Sequence, residues 1–337
     1  MKNLGIIGAG RIGKLHAENT TYHIPDACVK AIADPLMTDE IQRWAKQLGI
    51  TNCFVDYKEI LTDPEIDAVL ICSSTDTHAP ISLEAIAAGK HVFCEKPVSQ
   101  SLDEILQVKD ALAKNPVKYQ VGFNRRFDHN FKAVRTAISQ GRIGEPHIVK
   151  ITSRDPETPP RAYIATCGGL FMDMTIHDFD MLRYLTGSEA ADVFVRAANL
   201  LDPAFGEFGD VDTAIITITM KNGVMAVIDN SRRAAYGYDQ RVEAFGTLGQ
   251  IATANDTPST AVISTAHGVC SELPLYFFLE RYRDSFVQEM KDFIGAITDD
   301  SPVPVNIEDG LQSVVIAMAA GLSLKENRPV ALSEITG

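Results

Sequence analysis

Residues 4–13 read Leu-Gly-Ile-Ile-Gly-Ala-Gly-Arg-Ile-Gly, an apolar strand followed at once by a Gly-x-Gly-x-x-Gly turn and the start of a helical pattern. In this context Gly8 permits a tight turn, Gly10 lets the backbone approach a pyrophosphate, and Gly13 allows the helix to pack closely on the strand. The first amides of the helix and its positive dipole end favour bound phosphate. The predicted cofactor contacts of this turn are Gly8, Gly10, Arg11, Ile12 and Gly13.

A carboxylate follows the second predicted strand. The apolar run Cys28–Ala33 ends at Asp34, which lies 21 residues after Gly13. A carboxylate at this position accepts hydrogen bonds from the hydroxyls of an adenosine ribose and repels a 2′-phosphate. The sequence therefore predicts that the cofactor is NAD rather than NADP. The alternative is that Asp34, which precedes a proline, only starts a turn.

A polar loop follows the apolar strand Ala68–Cys72 and leads into a helical pattern. Its hydroxyls and amides are expected to face the same crevice as the glycine turn, because ligands of parallel sheets bind outside the carboxyl ends of the strands. Thr77 is predicted to be the N-cap of the helix. His78 either contacts the cofactor or only occupies the first helical turn. The predicted cofactor contacts of this loop are Ser73, Ser74, Thr75 and His78.

The stretch Gly89-Lys90-His91-Val92-Phe93-Cys94-Glu95-Lys96-Pro97 is a further apolar strand that runs into a charged turn. Its position predicts that Glu95 and Lys96 lie on the rim of the cofactor crevice. Pro97 biases the backbone of Lys96 toward an extended conformation, which helps to fix the direction of a flexible cation. Taken alone, the turn is better explained as a solvated surface loop, so its function depends on the rest of the chain.

Composition disfavours several classes of partner. The 337 residues carry a net charge of −13, which argues against binding to nucleic acid or an anionic membrane, since both reward basic patches. The amino terminus has no charged segment followed by a long apolar run, and no apolar stretch reaches 18 residues, so we expect neither export nor membrane insertion. Six cysteines without a Cys-x-x-Cys pair suit reduced thiols in the cytoplasm. These features predict a cytoplasmic protein with a small-molecule ligand.

The pattern of apolar runs predicts two domains. Up to about residue 120, strands alternate with helices, which indicates a doubly wound parallel sheet. After about residue 145 long β-rich runs dominate, and the predicted hairpin turns Lys221–Gly223 and Thr247–Gly249 favour a mostly antiparallel open sheet. We therefore predict an α/β Rossmann domain at residues 1–122 and an α+β domain at residues 123–337. We expect a cleft between them, with the final helix, Glu308–Asn327, packed back on the first domain.

A helical segment in the second half, Gly169–Leu185, carries candidate proton-transfer residues. Asp173 and His177 are four residues apart, so they lie one turn apart on the same helix face. A carboxylate beside an imidazole raises the imidazole pKa and orients the ring, which suits a general base near neutral pH. The alternatives are an ordinary surface pair and a metal site that adds Asp180. The spacing matches no recognised metal motif such as His-Glu-x-x-His, so we predict no metal.

Four motifs, in this order and at this spacing, resemble the glucose-fructose oxidoreductase/inositol dehydrogenase family and cover nearly the whole chain. They are the glycine turn at residues 8–13, the Glu-Lys-Pro stretch at residues 89–97, the segment Gly122-Phe123-Asn124-Arg125-Arg126-Phe127-Asp128, and Gly168-Gly169 followed by Asp173 and His177. Within that family, Ser153–Pro156 and Leu279–Tyr282 resemble the inositol 2-dehydrogenases.

The resemblance implies NAD-dependent oxidation of a cyclic polyol, foremost myo-inositol to 2-keto-myo-inositol, as a step of inositol catabolism. It implies that Lys96, Asp173 and His177 form the catalytic set and that the open sheet mediates assembly of a homotetramer or a dimer. His177 would accept the proton while Lys96 hydrogen-bonds the hydroxyl, and the reverse assignment stays open. The residues that the resemblance places near the polyol, besides the catalytic set, are Asn124, Arg126, Asp155, Tyr236 and Tyr282.

Two other functions stay open at this point. Oxidation of a different sugar or polyol, or reduction of a sugar ketone, would differ mainly in the residues that line the pocket. A non-catalytic dinucleotide-binding regulator belongs to another class and predicts loss of the lysine or the histidine. Since Lys96, Asp173 and His177 are all present, the sequence favours an enzyme.

Overall fold

The computed structural model describes residues 1–337, which form two units. The first comprises Met1–Asn124 and Asp284–Gln312, and the second comprises Arg125–Arg283 and Ser313–Gly337. The chain thus passes between the units three times, whereas the sequence pattern places a single boundary after residue 122.

In the first unit, strands and helices alternate strictly up to residue 124. Its elements in chain order are β1 (Lys2–Ile7), α1 (Arg11–His23), β2 (Ala27–Ala33), α2 (Asp39–Gln47), β3 (Asn52–Phe54), α3 (Lys58–Thr62), β4 (Ala68–Ile71), α4 (Thr75–Ala87), β5 (His91–Glu95), α5 (Leu102–Lys114) and β6 (Tyr119–Gly122). The six strands are parallel, in the order β3-β2-β1-β4-β5-β6. This order confirms the predicted doubly wound sheet, and it reverses direction between β1 and β4, where such sheets bind ligands.

The composition of the central strands explains this arrangement. All four residues of β4, Ala-Val-Leu-Ile, are buried, and so are the three central residues of β5. Continuous burial is expected for parallel strands that helices cover on both faces. Strand β3 is absent from the sequence prediction, because its three partly buried residues, Asn-Cys-Phe, are too few to show a periodicity.

The rest of the chain contains a large, mostly antiparallel sheet. After a 3-10 turn at Asn124–Phe127, the elements in chain order are α6 (His129–Ser139), β7 (Pro146–Arg154), α7 (Arg161–Ile164), a π-helical turn (Phe171–Thr175), α8 (Ile176–Thr186), β8 (Ala190–Ala198), α9 (Ala204–Glu207), β9 (Thr213–Met220), β10 (Met225–Ser231), β11 (Asp239–Gly246), β12 (Gly249–Ala252), β13 (Val262–Thr265), β14 (Gly268–Ser271), α10 (Phe278–Arg281), α11 (Arg283–Thr298), α12 (Ile307–Glu326), β15 (Val330–Ala331) and α13 (Ser333–Thr336).

Seven of these strands form one sheet, in the order β12-β11-β7-β10-β9-β8-β15. Every neighbouring pair is antiparallel except β7 and β10, which confirms the predicted open sheet. The predicted hairpin turns at residues 221–223 and 247–249 connect β9 to β10 and β11 to β12. Along β9, buried and exposed residues alternate, as expected for a sheet with one covered face.

Helix α11 packs on the parallel sheet of the first unit. The ring of Phe293 in α11 lies 5.8 Å from that of Phe93 in β5, and both side chains are fully buried. Burial of one such side chain stabilises a fold by about 1.5–3 kcal/mol. Residues 284–312 therefore belong to the first unit, although they follow the second sheet in sequence. An amphipathic pattern shows that a helix has a buried face, but not which sheet covers it.

Helix α12 is long and apolar enough to cross a membrane by length and composition alone. Of its apolar window, 56% is buried inside the protein. Buried core helices pass the same test of length and apolarity, because both environments select apolar side chains.

Candidate active site

The glycine turn after β1 has two closed positions and one open position. A Cβ on Gly8, whose φ is +102°, would lie 2.6 Å from the carbonyl carbon of Cys72, and a Cβ on Gly13 would lie 1.9 Å from the carbonyl oxygen of Gly8. At Gly10, by contrast, no atom lies within 4 Å of the Cβ position. The backbone around Gly10 therefore faces open space directly before α1, where a phosphate group can approach the first amides of the helix.

Asp34 lies beside this turn at the carboxyl end of β2. Its Oδ2 atom accepts a hydrogen bond from the amide of Ala9 at 2.7 Å, and its Oδ1 atom accepts one from the amide of Leu36 at 2.8 Å. These bonds fix the carboxylate and leave further lone pairs for ribose hydroxyls. Together, the open side of Gly10, the start of α1 and Asp34 fit the phosphates and adenosine ribose of NAD.

The loop between β4 and α4 is tied to its own helix. Helix α4 begins at Thr75 with Ser74 as its N-cap, so the prediction that Thr77 caps the helix is wrong. The Thr77 hydroxyl instead donates to the carbonyl of Ser74 at 2.7 Å and lies 2.6 Å from the hydroxyl of Ser73. His78 is buried in the first turn of α4. Contacts of these residues with the cofactor stay predictions.

Lys96 follows the last residue of β5, at the carboxyl edge of the parallel sheet, and is partly buried. The Lys96–Pro97 peptide bond is cis. The side chain of Glu95 turns to helix α1, where its Oε1 atom lies 2.8 Å from Nε2 of the fully buried His16. The predicted position of Lys96 on the rim of the sheet therefore agrees with the fold, and its contact with a substrate stays a prediction.

A second carboxyl group lies deep beneath this edge of the sheet. Glu289 of α11 is fully buried, and neither of its carboxylate oxygens forms a hydrogen bond within the protein. Burial, and next the charge of Glu95, raise the pKa of Glu289 well above its ordinary value. An ionised carboxylate in such a place would lack compensation, which is the physical cause of the raised pKa.

In the second unit, Asp173 and His177 lie on consecutive but different helical turns. Asp173 is within the π-helical turn Phe171–Thr175, and His177 is the second residue of α8. The sequence predicts one continuous helix over Gly169–Leu185, and the structure is helical from residue 169 to residue 186, with i→i+5 bonding at Phe171–Thr175. π-Helical turns occur mostly as single turns inside α-helices and often at functional sites.

Asp173 is held by two side chains that the sequence analysis missed. Its Oδ2 atom accepts a hydrogen bond from Nη1 of Arg232 at 2.8 Å, and its Oδ1 atom accepts one from the hydroxyl of Tyr163 at 2.7 Å. A buried guanidinium favours the ionised carboxylate. The signal for Arg232 is its register, because inward positions alternate along β10 and residue 232 continues the inward set.

The same guanidinium connects Asp173 to Asp155. Nη1 of Arg232 lies 3.6 Å from Oδ2 of Asp155, and Arg232 is only 3% exposed. Burial raises the pKa of Asp155 to about 6, and the opposing pull of Arg232 is partly cancelled by Asp173. Nε and Nη2 of Arg232 are buried without a hydrogen-bond partner. The structure thus brings together two predicted site residues, Asp155 and Asp173, around one cation.

Two neighbouring arginines, of which the resemblance implies Arg126 as a substrate residue, bind different carboxylates of α8. Arg125 donates to Asp178 at 2.7 Å, and Arg126 forms two hydrogen bonds with Asp180 at 2.6 and 2.8 Å. Both pairs fix α8 to the turn at residues 124–127. Asp180, which the metal alternative needs as a ligand, is therefore engaged by Arg126, and contact between Arg126 and a polyol stays a prediction.

The remaining predicted substrate residues differ widely in exposure. The Tyr236 hydroxyl donates to Asp239 at 2.6 Å and accepts from Arg154 at 2.8 Å, while the ring is partly exposed. Tyr282 is fully buried, with the Arg281 guanidinium 4.8 Å from the centre of its ring, and Asn124 is buried as well. Direct contact of these three residues with a substrate stays a prediction.

Both units match models of a known enzyme family. Residues 2–123 match the model described as "Oxidoreductase family, NAD-binding Rossmann fold" (GFO/IDH/MocA), and residues 131–252 match the GFO/IDH/MocA C-terminal domain. The residues that fit NAD in the first unit all lie within the first of these matches.

Relatives match over almost the full chain. The uncharacterised oxidoreductase YrbE of Bacillus subtilis is 53% identical over 97% of this chain and 96% of its own. Myo-inositol 2-dehydrogenase of Thermotoga maritima is 46% identical over 99% of both chains. Solved structures agree with this similarity. The myo-inositol dehydrogenase of Corynebacterium glutamicum has a TM-score of 0.94 at 35% identity, covering 98% of this chain and 99% of its own.

A further solved structure contains ligands. The scyllo-inositol dehydrogenase of Lactobacillus casei, solved with NAD(H) and scyllo-inositol, has a TM-score of 0.91 at 30% identity, with 99% of both chains covered.

Two alanine substitutions in the glycine turn separate its role in cofactor binding from its role in folding. Gly10→Ala adds a methyl group to open space at an ordinary backbone conformation, with φ −71°, so the free energy of unfolding should change by less than about 0.5 kcal/mol. The affinity for NADH should fall at least about tenfold, because the methyl group occupies the approach of the pyrophosphate. Gly13→Ala should instead destabilise the fold by about 1–3 kcal/mol. Urea unfolding and NADH fluorescence titration measure both effects, and unchanged NADH affinity in Gly10→Ala would contradict this account.

Proposed function

This chain belongs to the GFO/IDH/MocA oxidoreductase family, and we propose that it oxidises myo-inositol to 2-keto-myo-inositol with NAD, in inositol catabolism. The observation that carries the proposal is the cluster of Asp173, Asp155 and Arg232, in a chain that resembles a myo-inositol 2-dehydrogenase over 99% of its length. Ionised carboxylates accept hydrogen bonds from several hydroxyl groups, so this cluster suits a polyol.

In this proposal the first unit binds the cofactor. NAD, when bound, supplies a hydride acceptor. The turn around Gly10 and the start of α1 would hold its phosphates, and Asp34 would hold its adenosine ribose. The two bonds that Asp34 already accepts keep its carboxylate in place without occupying all of its lone pairs.

Three residues are proposed to carry out the proton transfer. In the proposed mechanism His177 accepts the proton from the reacting hydroxyl, and Lys96 donates a hydrogen bond to the hydroxyl oxygen as negative charge develops on it. Asp173 orients His177 and stabilises the imidazolium. The bonds from Arg232 and Tyr163 support this role, because they fix the orientation of the Asp173 carboxylate. In the alternative assignment Lys96 is the base.

The second candidate substrate is another inositol isomer. The Lactobacillus casei relative, which is similar over 99% of both chains, is a scyllo-inositol dehydrogenase. The isomers differ in the orientation of hydroxyl groups, so the same carboxylates and catalytic residues would serve either one. Reduction of a sugar ketone, or oxidation of another sugar, would use the same catalytic residues and is separated from this proposal by a substrate screen.

The proposal includes a homotetramer in the cytoplasm. Support for assembly comes from the exposed face of the large sheet, where Ile215, Met225 and Phe245 are 47, 56 and 45% exposed. Exposed apolar patches mark interaction sites. Support for the compartment comes from six cysteines that are all free thiols, as in reducing surroundings. Light scattering of the purified protein measures the assembly directly.

A substrate screen tests the proposed reaction. Absorbance of NADH is followed after addition of myo-inositol, scyllo-inositol, glucose or an anhydro-sugar, with NAD or NADP. We expect the highest kcat/KM with myo-inositol, and at least about tenfold lower kcat/KM with NADP because Asp34 repels the 2′-phosphate. Lys96→Ala should lower kcat at least about 100-fold while NADH still binds. Absence of NADH formation with every polyol and sugar would instead favour a non-catalytic regulator.

The pKa of Asp155 generates a pH prediction. Burial raises this pKa to about 6, so the carboxylate accepts hydrogen bonds from a polyol above that pH and is protonated below it. The KM for the polyol should therefore rise as the pH falls from 7 to 5. Asp155→Asn should raise the KM at every pH and remove this dependence, with unchanged affinity for NADH as the control. A wild-type KM that is constant between pH 5 and pH 7 would refute the proposed role of Asp155.

A further inference from the structure

His78 connects two loops at the carboxyl edge of the parallel sheet. It lies in the first turn of α4 and is 2% exposed. Its Nδ1 atom lies 2.8 Å from the carbonyl oxygen of Pro97, and its Nε2 atom lies 3.0 Å from the carbonyl oxygen of Ser73. One side of the ring therefore contacts the turn that carries Lys96, and the other contacts the loop after β4.

The two partners of His78 decide its chemical state. A carbonyl oxygen only accepts hydrogen bonds, so each contact needs an N–H group on the ring. A neutral imidazole has one N–H group, and it would leave a nitrogen lone pair facing the other carbonyl oxygen. The imidazolium has two N–H groups and satisfies both contacts.

The surroundings of His78 agree with a charged ring. Burial disfavours the charge, whereas the neighbouring Cys94 and the hydrogen bonds to the carbonyls of Pro97 and Ser73 raise the pKa of His78. Two further titratable groups interact with Cys94, namely Tyr119 of β6, which hydrogen-bonds Ser82 at 3.0 Å, and Cys72. The start of α4 presents the positive end of the helix dipole, which opposes a cation. The hydrogen bonds to the two carbonyl oxygens are therefore the contacts that stabilise the charged ring.

We propose that His78 is an imidazolium clamp that fixes the Lys96–Pro97 turn to the Ser73 loop, so that the catalytic lysine and the cofactor loop are positioned by one ring. This is a positioning role, since both ring nitrogens contact backbone carbonyls, and it rests on the proposed function of Lys96. Ser99 holds the far side of the same turn, where its hydroxyl donates to Glu104 at 2.5 Å. The turn is thus fixed from both ends, and His78 is the end that also reaches the cofactor loop.

Two conservative variants separate the two contacts. The amide nitrogen of asparagine takes the place of Nδ1, so His78→Asn keeps the bond to Pro97 and loses the bond to Ser73. The amide nitrogen of glutamine takes the place of Nε2, so His78→Gln keeps the bond to Ser73 and loses the bond to Pro97. We expect His78→Gln to lower kcat about tenfold or more with a KM for NAD near the wild-type value. We expect His78→Asn to keep kcat within about threefold and to raise the KM for NAD.

The control is His23→Gln, at the exposed end of α1 in the same unit, which should leave both parameters unchanged. Thermal unfolding of each variant separates a shift in kcat from partial loss of the fold. Equal kcat and KM in His78→Asn, His78→Gln and the wild type would overturn the clamp. So would equal losses in both variants, because the two contacts would then have no separate roles.

The charge of the His78 ring can be tested by a measurement that does not depend on enzyme activity. In protein labelled with 15N-histidine, NMR of the eight histidines should show one ring with two protonated nitrogens at pH 7.5, and this signal should disappear in His78→Gln. A His78 ring that is singly protonated at pH 7.5 would overturn the proposal. If the wild type oxidises no polyol, the proposed function fails, while this NMR measurement still decides the protonation state of His78.

Discussion

One buried positive charge organises the second unit. Arg232 is 3% exposed, and its guanidinium donates to Asp173 at 2.8 Å and lies 3.6 Å from Asp155. Two partly buried carboxylates this close together repel each other unless a cation lies between them, so removal of the guanidinium destabilises the cluster. Strand β7, strand β10 and the π-helical turn must therefore meet at this place. The contacts that form the polar site therefore also fix how these three elements pack together.

In the first unit the governing constraint is space rather than charge. Side chains are excluded at Gly8 and Gly13, because a Cβ would collide with the backbone of Cys72 or of Gly8. The same absence of side chains leaves Gly10 open to a ligand. The residues around Lys96 then use buried polar contacts, with His16 on Glu95 and His78 on Pro97. Each contact holds a residue next to Lys96 in place, and the proposed mechanism requires this lysine in a fixed position.

Local patterns in the sequence were enough for the architecture of both sheets. The glycine turn, the strand–helix alternation and the hairpin turns are short-range signals, and the structure agrees with them. Three features have no such signal. Strand β3 is too short, the cap of α4 shifts from Thr77 to Ser74, and the place of α11 depends on its contact with a distant strand.

The candidate site was only partly predictable for the same reason. Asp173 and His177 are close in sequence, so helical spacing is enough to pair them as candidates. Arg232 and Tyr163 contact Asp173 only through the tertiary fold, and no spacing rule relates the three positions. The double contact of His78 with Ser73 and Pro97 likewise joins segments that are adjacent in the sheet but separate in sequence.

In the proposed mechanism Lys96 and His177, which belong to different units, act on one hydroxyl group. A double-mutant cycle with Lys96→Ala and His177→Asn measures this most directly, as kcat for myo-inositol in the two single variants and the double variant. Residues that act as a unit in one proton-transfer step are non-additive. We predict that the double variant is no slower than the worse single variant within about threefold. Losses that multiply fully would contradict the account.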